Sequence, residues 1–403
     1  MGVVFIAPVI PLDVAMMAAA LERAGWLDRL VTRWCFTGSG WARARRFRCP
    51  ERWLRRPQAP VGREHLLRVP LADVRQKGAA WFGGGQIKAL DKSFARVDQA
   101  GAKLVTGQTG AVLAREDSCI ESFHQAAEWG RPRLYQLPSA HCATVERLIR
   151  REAVEFPEAF DRGEMEAEFA PARLQRKSEE LDLATWVLCP SNFAANSVRA
   201  AGAAAERICT LPLGSDTRWS PVATVERGPV FLCVGKVCAR KGIHRVLRVW
   251  KKLGAWRTHR LRLIGELGLP HRFLAEFSGC FEHVARVARE ALPIEYSRAQ
   301  ALVFNPVADG FGHVFAEAMA CGAPVLASRN CGAPDLVTDG VEGRLFDYGD
   351  DEQLGATLDW ALTHPRELGL MGAGARRRAL TWGWEQFSRG FLEWLEPLIN
   401  LGR

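Results

Sequence analysis

The sequence predicts an α/β chain made of two Rossmann-like lobes facing each other across a cleft. Two observations carry this expectation. Short apolar runs of strand character alternate with segments of helical periodicity, the pattern of parallel sheets wound by helices. The pattern also starts twice, at Val3 and again at Pro229, with a turn-rich segment, LPLGSDTRWSP (211–221), between the two starts. Length agrees, since 403 residues at roughly 100–200 per domain make two or three domains.

The elements follow in order. Val3–Ala7 reads as a first strand and Ala15–Ala24 as a helix. Val187–Pro190 reads as a strand end, and Ser191-Asn192 as a cap for a helix over Phe193–Ala201. After Pro221 the second unit begins with PVFLCVG (229–235). Ile243–Leu253 carries apolar residues at 243, 246, 247, 250 and 253, an amphipathic helix. Leu261–Ile264, Ala301–Asn305 and Val325–Ser328 read as strands, and Val314–Ala320 as a helix.

Hydrophobic residues make up 48% and charged residues 25% of the chain, a globular balance. The eleven cysteines are odd in number, and no pair is spaced Cys-x-x-Cys. That argues against a disulfide framework or a zinc site and for a reducing, cytoplasmic setting. Val3–Ile6 is closed by Pro8 without a preceding basic region, so no signal peptide is read, and no apolar run reaches the ~18 residues of a membrane span. Net charge is +9, and residues 41–56, WARARRFRCPERWLRR, hold seven arginines against one glutamate. Such a stretch suits an anionic surface (lipid headgroups, a nucleic acid or an anionic acceptor), and equally a solvated basic loop over packed aromatics.

Two segments hold chemistry. In VFLCVGKVCARKGIHRVL (230–247) a strand ends at Gly235, Lys236, Arg240 and Lys241 follow, and a helix begins after Gly242. Cations beside the free N–H groups of a helix start suit a diphosphate. In NPVADGFGHVFAEAMACGAPV (305–325), Asp309 lies in a loop with Gly310, Phe311 and Gly312, and Glu317 lies one turn into the next helix. Carboxylates in this setting accept hydrogen bonds from sugar hydroxyls. The plainer alternative has Asp309 as a cap and Glu317 as a solvated residue.

Asp309 and Glu317 enclose seven residues and precede AMACGAPV, an arrangement that resembles the E-x7-E motif of the retaining GT-B glycosyltransferases of family 4. VGKVCARKG, LRLIGE (261–266), LPIEYSRAQALVFNP (292–306) and SRNCGAPDLVTDGVEGRLFDYGD (328–350) are similar to that family's segments in the same order. The likeness covers about 180–385, and residues 1–180 share only its outline. It implies a GT-B fold: an N-terminal acceptor lobe over 1–213, with a final helix (385–403) crossing back onto it, and a C-terminal nucleotide-sugar lobe over 214–384. It further implies that Lys236, Arg240 and Lys241 hold the donor diphosphate and that Glu317 accepts from the ribose. Asp309 would face the transferred sugar, supported by the amides of Gly310, Phe311 and Gly312, and His141, in LYQLPSAHCA, would stand near the reacting centre. The implied reaction is transfer of a hexose to an acceptor hydroxyl with retention, by front-face displacement, without metal or cofactor. The acceptor would be a glycan, a small molecule or a lipid-linked or anionic compound, with peripheral membrane contact through 41–56 and no nucleic acid as partner.

Three positions depart from the family pattern. Asp309 stands for Glu and is one methylene shorter. Lys236 stands for Arg and lacks its two-pronged fork. The loop APVIPLDVAMM (7–17) lacks Gly-Gly. These departures leave a second reading open, a GT-B protein kept for binding or as a scaffold after losing catalysis.

Overall fold

The computed structural model describes residues 2–33, 35, 60–70 and 86–400. The basic stretch 41–56 lies outside them.

The first unit runs β1 (Val3–Ile6), α1 (Leu12–Arg23), β2 (Leu27–Thr32), β3 (Leu66–Arg68), α2 (Gln86–Ala102), β4 (Ala111–Arg115), α3 (Ile120–Glu128) and β5 (Arg133–Gln136). It continues through α4 (Cys142–Glu155), α5 (Arg162–Glu168), α6 (Pro171–Leu183), β6 (Trp186–Cys189), α7 (Asn192–Ala200) and β7 (Ile208–Thr210). Its strands form one sheet in the order β3-β2-β1-β4-β5-β6-β7, every pair parallel. β1 shows why the sequence folds this way: Val3, Val4, Phe5 and Ile6 are all fully buried, so the strand is apolar on both faces and needs helices on each side.

The second unit comprises β8 (Val230–Val234), α8 (Ile243–Lys252), β9 (Arg260–Ile264), α9 (His271–Ala275), β10 (Glu282–Val284), α10 (Leu292–Arg298) and β11 (Ala301–Phe304). After these come α11 (His313–Ala320), β12 (Val325–Ser328), α12 (Ala333–Leu336), β13 (Gly343–Phe346), α13 (Asp351–Thr363) and α14 (Pro365–Thr381). Its sheet is also all parallel, in the order β10-β9-β8-β11-β12-β13. The final helix, α15 (Trp384–Asn400), packs on α1 of the first unit, with Phe391 and Leu395 buried in the same core as Val14 and Met17.

The two units are tied together away from the cleft as well. The C-terminal end of α4 enters the second unit, where Phe156 and Ala159 join the core formed by Val246, Leu247 and Trp250. Beside them Glu152 accepts from His244 Nε2 at 2.7 Å and from Arg245 Nε at 2.5 Å. Arg245, 3% exposed at its side chain, also pairs with Glu155 and Asp351.

Candidate functional site

The cleft lies at the carboxyl ends of both sheets, where open α/β folds hold ligands. On the second unit, β11 ends at Phe304 and the chain runs through 305–312 into α11. Gly312 supplies the turn with φ +98°, and a Cβ there would strike the Phe304 ring. Asp309 hangs from this loop and forms an ion pair with Lys241, whose ammonium stands 5.7 Å from the centre of the Phe304 ring. Lys241 is placed by the turn at Gly242, where φ is +66° and a Cβ would fall 1.8 Å from the Asn305 carbonyl oxygen. Only glycine lets the β8 loop approach the β11 loop so closely.

Glu317 lies in α11, mostly buried. One of its carboxylate oxygens accepts from the Tyr296 hydroxyl at 2.9 Å, and the other pairs with Arg289 at 3.4 Å. Burial raises its pKa above the ordinary value, against the opposing pull of Arg289 and the Tyr296 bond. The Arg289 guanidinium is about half exposed and stands 5.1 Å over the Trp219 ring.

His313, the first residue of α11, is held between Phe311 and Trp384, with ring centres 5.8 and 5.9 Å away. Burial lowers its pKa, while Asp13 and Asp309 act in the opposite direction. Asp13 belongs to the first unit, in the opening turn of α1. It accepts from Arg115 at 3.0 Å and Gln136 at 2.7 Å. Burial works to raise the Asp13 pKa, yet Arg115 and His313 hold it below the ordinary value. The loop without Gly-Gly therefore leads into a helix turn that holds a buried carboxylate, whose charge acts on His313 of the facing unit.

The sequence-predicted residues separate into groups. Lys241, Asp309 and Glu317 stand on the adjoining β8 and β11 segments, as their spacing implies. Arg240 turns away from them, donating to Glu168 at 2.6 Å and Ser139 Oγ at 3.4 Å. Lys236 is exposed and lines, with Arg240, a cavity of about 290 Å³ between the units. It contacts neither Lys241 nor Asp309 among the described residues. The Phe311 amide donates to the Asp309 carboxylate itself, at 3.3 Å. Gly310 serves the contact between units: its carbonyl accepts from Ser191 Oγ, and a Cβ on it would lie 2.3 Å from the Pro138 carbonyl oxygen.

His141 is at the N-cap of α4, 3% exposed. Its Nδ1 accepts from the Ala143 amide at 3.4 Å, its own amide donates to Ser197 Oγ at 2.7 Å, and burial lowers its pKa. A neutral, capping histidine results, with no contact to Lys241 or Asp309 among the described residues. Arg289, Tyr296, Trp219, His313 and Asp13 were not singled out from sequence. The available signal was Arg289 and Tyr296 falling just before the strand that leads to Asp309, and His313 standing between the glycine turn and the helix. Among the described residues, no group of three His, Cys, Asp or Glu side chains is placed to hold a metal ion. None of the described helices is long and apolar enough to cross a membrane.

Comparison with known proteins bears on the family and the fold. Residues 217–378 match the family described as glycosyl transferases group 1. The GDP-mannose-dependent alpha-(1-6)-phosphatidylinositol monomannoside mannosyltransferase of Mycolicibacterium smegmatis is 28% identical over 53% of this chain and 62% of its own. The MMP alpha-(1->4)-mannosyltransferase of Mycolicibacterium hassiacum is 30% identical over 43% of this chain and 44% of its own. The chain thus spans less than two thirds of the length of these curated relatives. Among solved structures, HepE of Anabaena in complex with UDP superimposes with a TM-score of 0.63 at 15% identity, over 98% of this chain and all of that one. Sucrose-phosphate synthase of Thermosynechococcus elongatus gives 0.66 at 19% identity, over 96% of this chain and 92% of its own. The likeness to the glycosyl transferases group 1 family is carried by residues 217–378, and the chain as a whole has the GT-B fold.

Proposed function

We propose that this protein is a retaining glycosyltransferase that moves a hexose from a nucleotide diphosphate sugar to an acceptor hydroxyl. The observation that carries the reading is the ion pair of Lys241 and Asp309 at the cleft, with Glu317 one turn into the following helix, α11. An entering diphosphate takes over the Lys241 charge and leaves Asp309 free to accept from hydroxyls of the donor sugar. Glu317 accepts from the ribose, releasing Arg289 from its present pairing. As the bond to the anomeric carbon breaks, negative charge builds on the diphosphate, and Lys241 opposes it. A charged group placed in this way is typically worth about 3–4 kcal/mol in the transition state. His141, buried and capping, is assigned no proton transfer, and the departing phosphate takes the acceptor proton on the face it leaves. Neither metal nor resident cofactor is required by this scheme. GDP-mannose, named for the Mycolicibacterium smegmatis relative, is the first donor to test. The site of action is the cytoplasm or the inner membrane face, with 41–56 as the membrane contact and a lipid-linked compound or glycan as acceptor.

The test is nucleoside diphosphate release from UDP-, GDP- and ADP-sugars with an acceptor panel, followed by NMR of the product's anomeric centre. Release with a retained configuration supports the proposal. An inverted product overturns retention, and nucleotide binding without any transfer favours the scaffold reading.

A further inference from the structure

Resting on the transferase reading, we propose that Arg289 selects the base of the donor nucleotide, and that it favours guanine by donating to the O6 and N7 atoms of that base. Arg289 lies in the short helical turn between β10 and α10. Its guanidinium pairs at 3.4 Å with the Glu317 oxygen that Tyr296 leaves open. The open approach to Glu317 is from this side. Tyr296 is fully buried at the other oxygen, whereas the Arg289 side chain is 55% exposed. A ribose that takes the Glu317 oxygen therefore lies against Arg289. The diphosphate on its 5′ carbon goes to Lys241, which Arg289 does not contact among the described residues. The base hangs from the 1′ carbon, beside the 2′ carbon whose hydroxyl is within reach of Glu317, and so comes to the guanidinium.

The exchange leaves that guanidinium available. Arg289 gives up Glu317, and Asp216, another carboxylate on which its charge acts, is already held by Arg218 at 2.9 and 2.8 Å. The Trp219 ring, its centre 5.1 Å from the guanidinium carbon, still retains the cation. A guanidinium has donors in a flat fork and no acceptor. Guanine meets the fork with two neighbouring acceptors, O6 and N7. Adenine sets an amino donor beside N7, so one prong faces a donor. Uracil has O4 alone on the corresponding edge. Among these bases, guanine satisfies both prongs.

The test is calorimetric titration of the whole protein with GDP, ADP and UDP, and with inosine diphosphate and 7-deaza-GDP. Inosine diphosphate keeps O6 and N7 but lacks the 2-amino group, and 7-deaza-GDP keeps the 2-amino group and O6 but lacks N7. GDP should bind about tenfold or more tightly than ADP or UDP, the discrimination typical of a two-pronged contact. Inosine diphosphate should match GDP within about threefold, and 7-deaza-GDP should bind about tenfold more weakly, for the loss of one bond to a charged donor. These titrations need no variant. In Arg289→Gln, ADP should bind as tightly as GDP or more so, because glutamine pairs with the adenine N6 and N7 atoms. The GDP-to-ADP ratio is the quantity read, since it cancels any gain common to all nucleotides from unpairing Glu317. ADP or UDP binding as tightly as GDP, loss of inosine diphosphate binding, full affinity for 7-deaza-GDP, or a ratio unchanged in Arg289→Gln would each overturn the proposal. No binding of any nucleotide would overturn the transferase reading itself, whereas binding without a guanine preference would overturn this inference alone.

Discussion

Replacing Glu152 with alanine tests how the two units are held in register. The side chain is 4% exposed, and both of its oxygens are engaged by His244 and Arg245. Burial works to raise its pKa, but the bonds from His244 and Arg245 prevail and bring it from 4.5 to about 2. At ~1.4 kcal/mol per pH unit, that difference corresponds to about 3 kcal/mol favouring the ionised folded form. Breaking a buried ion pair by removing one partner typically costs ~3–5 kcal/mol. The lower figure applies here, since Arg245 keeps Glu155 and Asp351. The folded pKa is depressed, so the stabilisation is complete above about pH 4.5 and disappears as the pH falls through 2. Glu152→Ala should therefore cost about 3 kcal/mol at pH 7 and progressively less below pH 4. Glu155→Ala, with a side chain 48% exposed, should cost under about 1 kcal/mol. Hydrogen exchange of α4 and α8 peptides in urea reads the two units separately. Equal losses for the two variants, or none for Glu152→Ala, would refute the view that the α4–α8 ion pair is a principal tie.

Four further outcomes are expected. Glu317→Ala removes a charged acceptor worth ~1.5–3 kcal/mol, so calorimetry should show nucleotide affinity falling by roughly 10- to 150-fold. Lys241→Ala should lower kcat by about 10²-fold or more with little change in melting temperature, because its side chain is about a third exposed and its charge acts on the leaving group. Glu180 is fully buried, and burial followed by Asp117 raises its pKa to about 8. Its contribution is present below pH 4.5 and lost as pH rises through 8, so Glu180→Gln should gain stability over the unaltered protein at pH 9, measured by thermal unfolding across pH. Gly310→Ala, whose Cβ would meet the Pro138 carbonyl, should reduce turnover more than nucleotide affinity in steady-state assays, because it pushes apart the two loops that flank the reacting centre.

Much of the fold was legible because buried parallel strands are uninterrupted apolar runs. Val325–Ser328 is a strand from end to end, and Ser191 caps α7 by accepting from the Ala194 amide at 3.1 Å. The first helix was less legible. It begins at Leu12 rather than Ala15, directly after Pro11, so its opening turn holds Asp13 before the apolar periodicity is established. That displacement hid the carboxylate whose charge acts on His313, far away in the chain. Glu152 and Arg245 lie 93 residues apart and meet only because the end of α4 enters the other core. Spacing along one strand-loop-helix brings out Asp309 and Glu317. It carries no information on which way Arg240 turns, since Glu168 and Ser139 are contributed by the other unit. His141 illustrates the converse. A histidine at a strand end reads as reactive, yet the residue is drawn inward as a helix cap.

If the Lys241, Asp309 and Glu317 cluster binds a nucleoside diphosphate, calorimetric titration with UDP, GDP and ADP in metal-free buffer will show saturable binding of one of the three, weakened by Glu317→Ala and by Lys241→Ala. Binding of none, or binding that both variants leave unchanged, would contradict it.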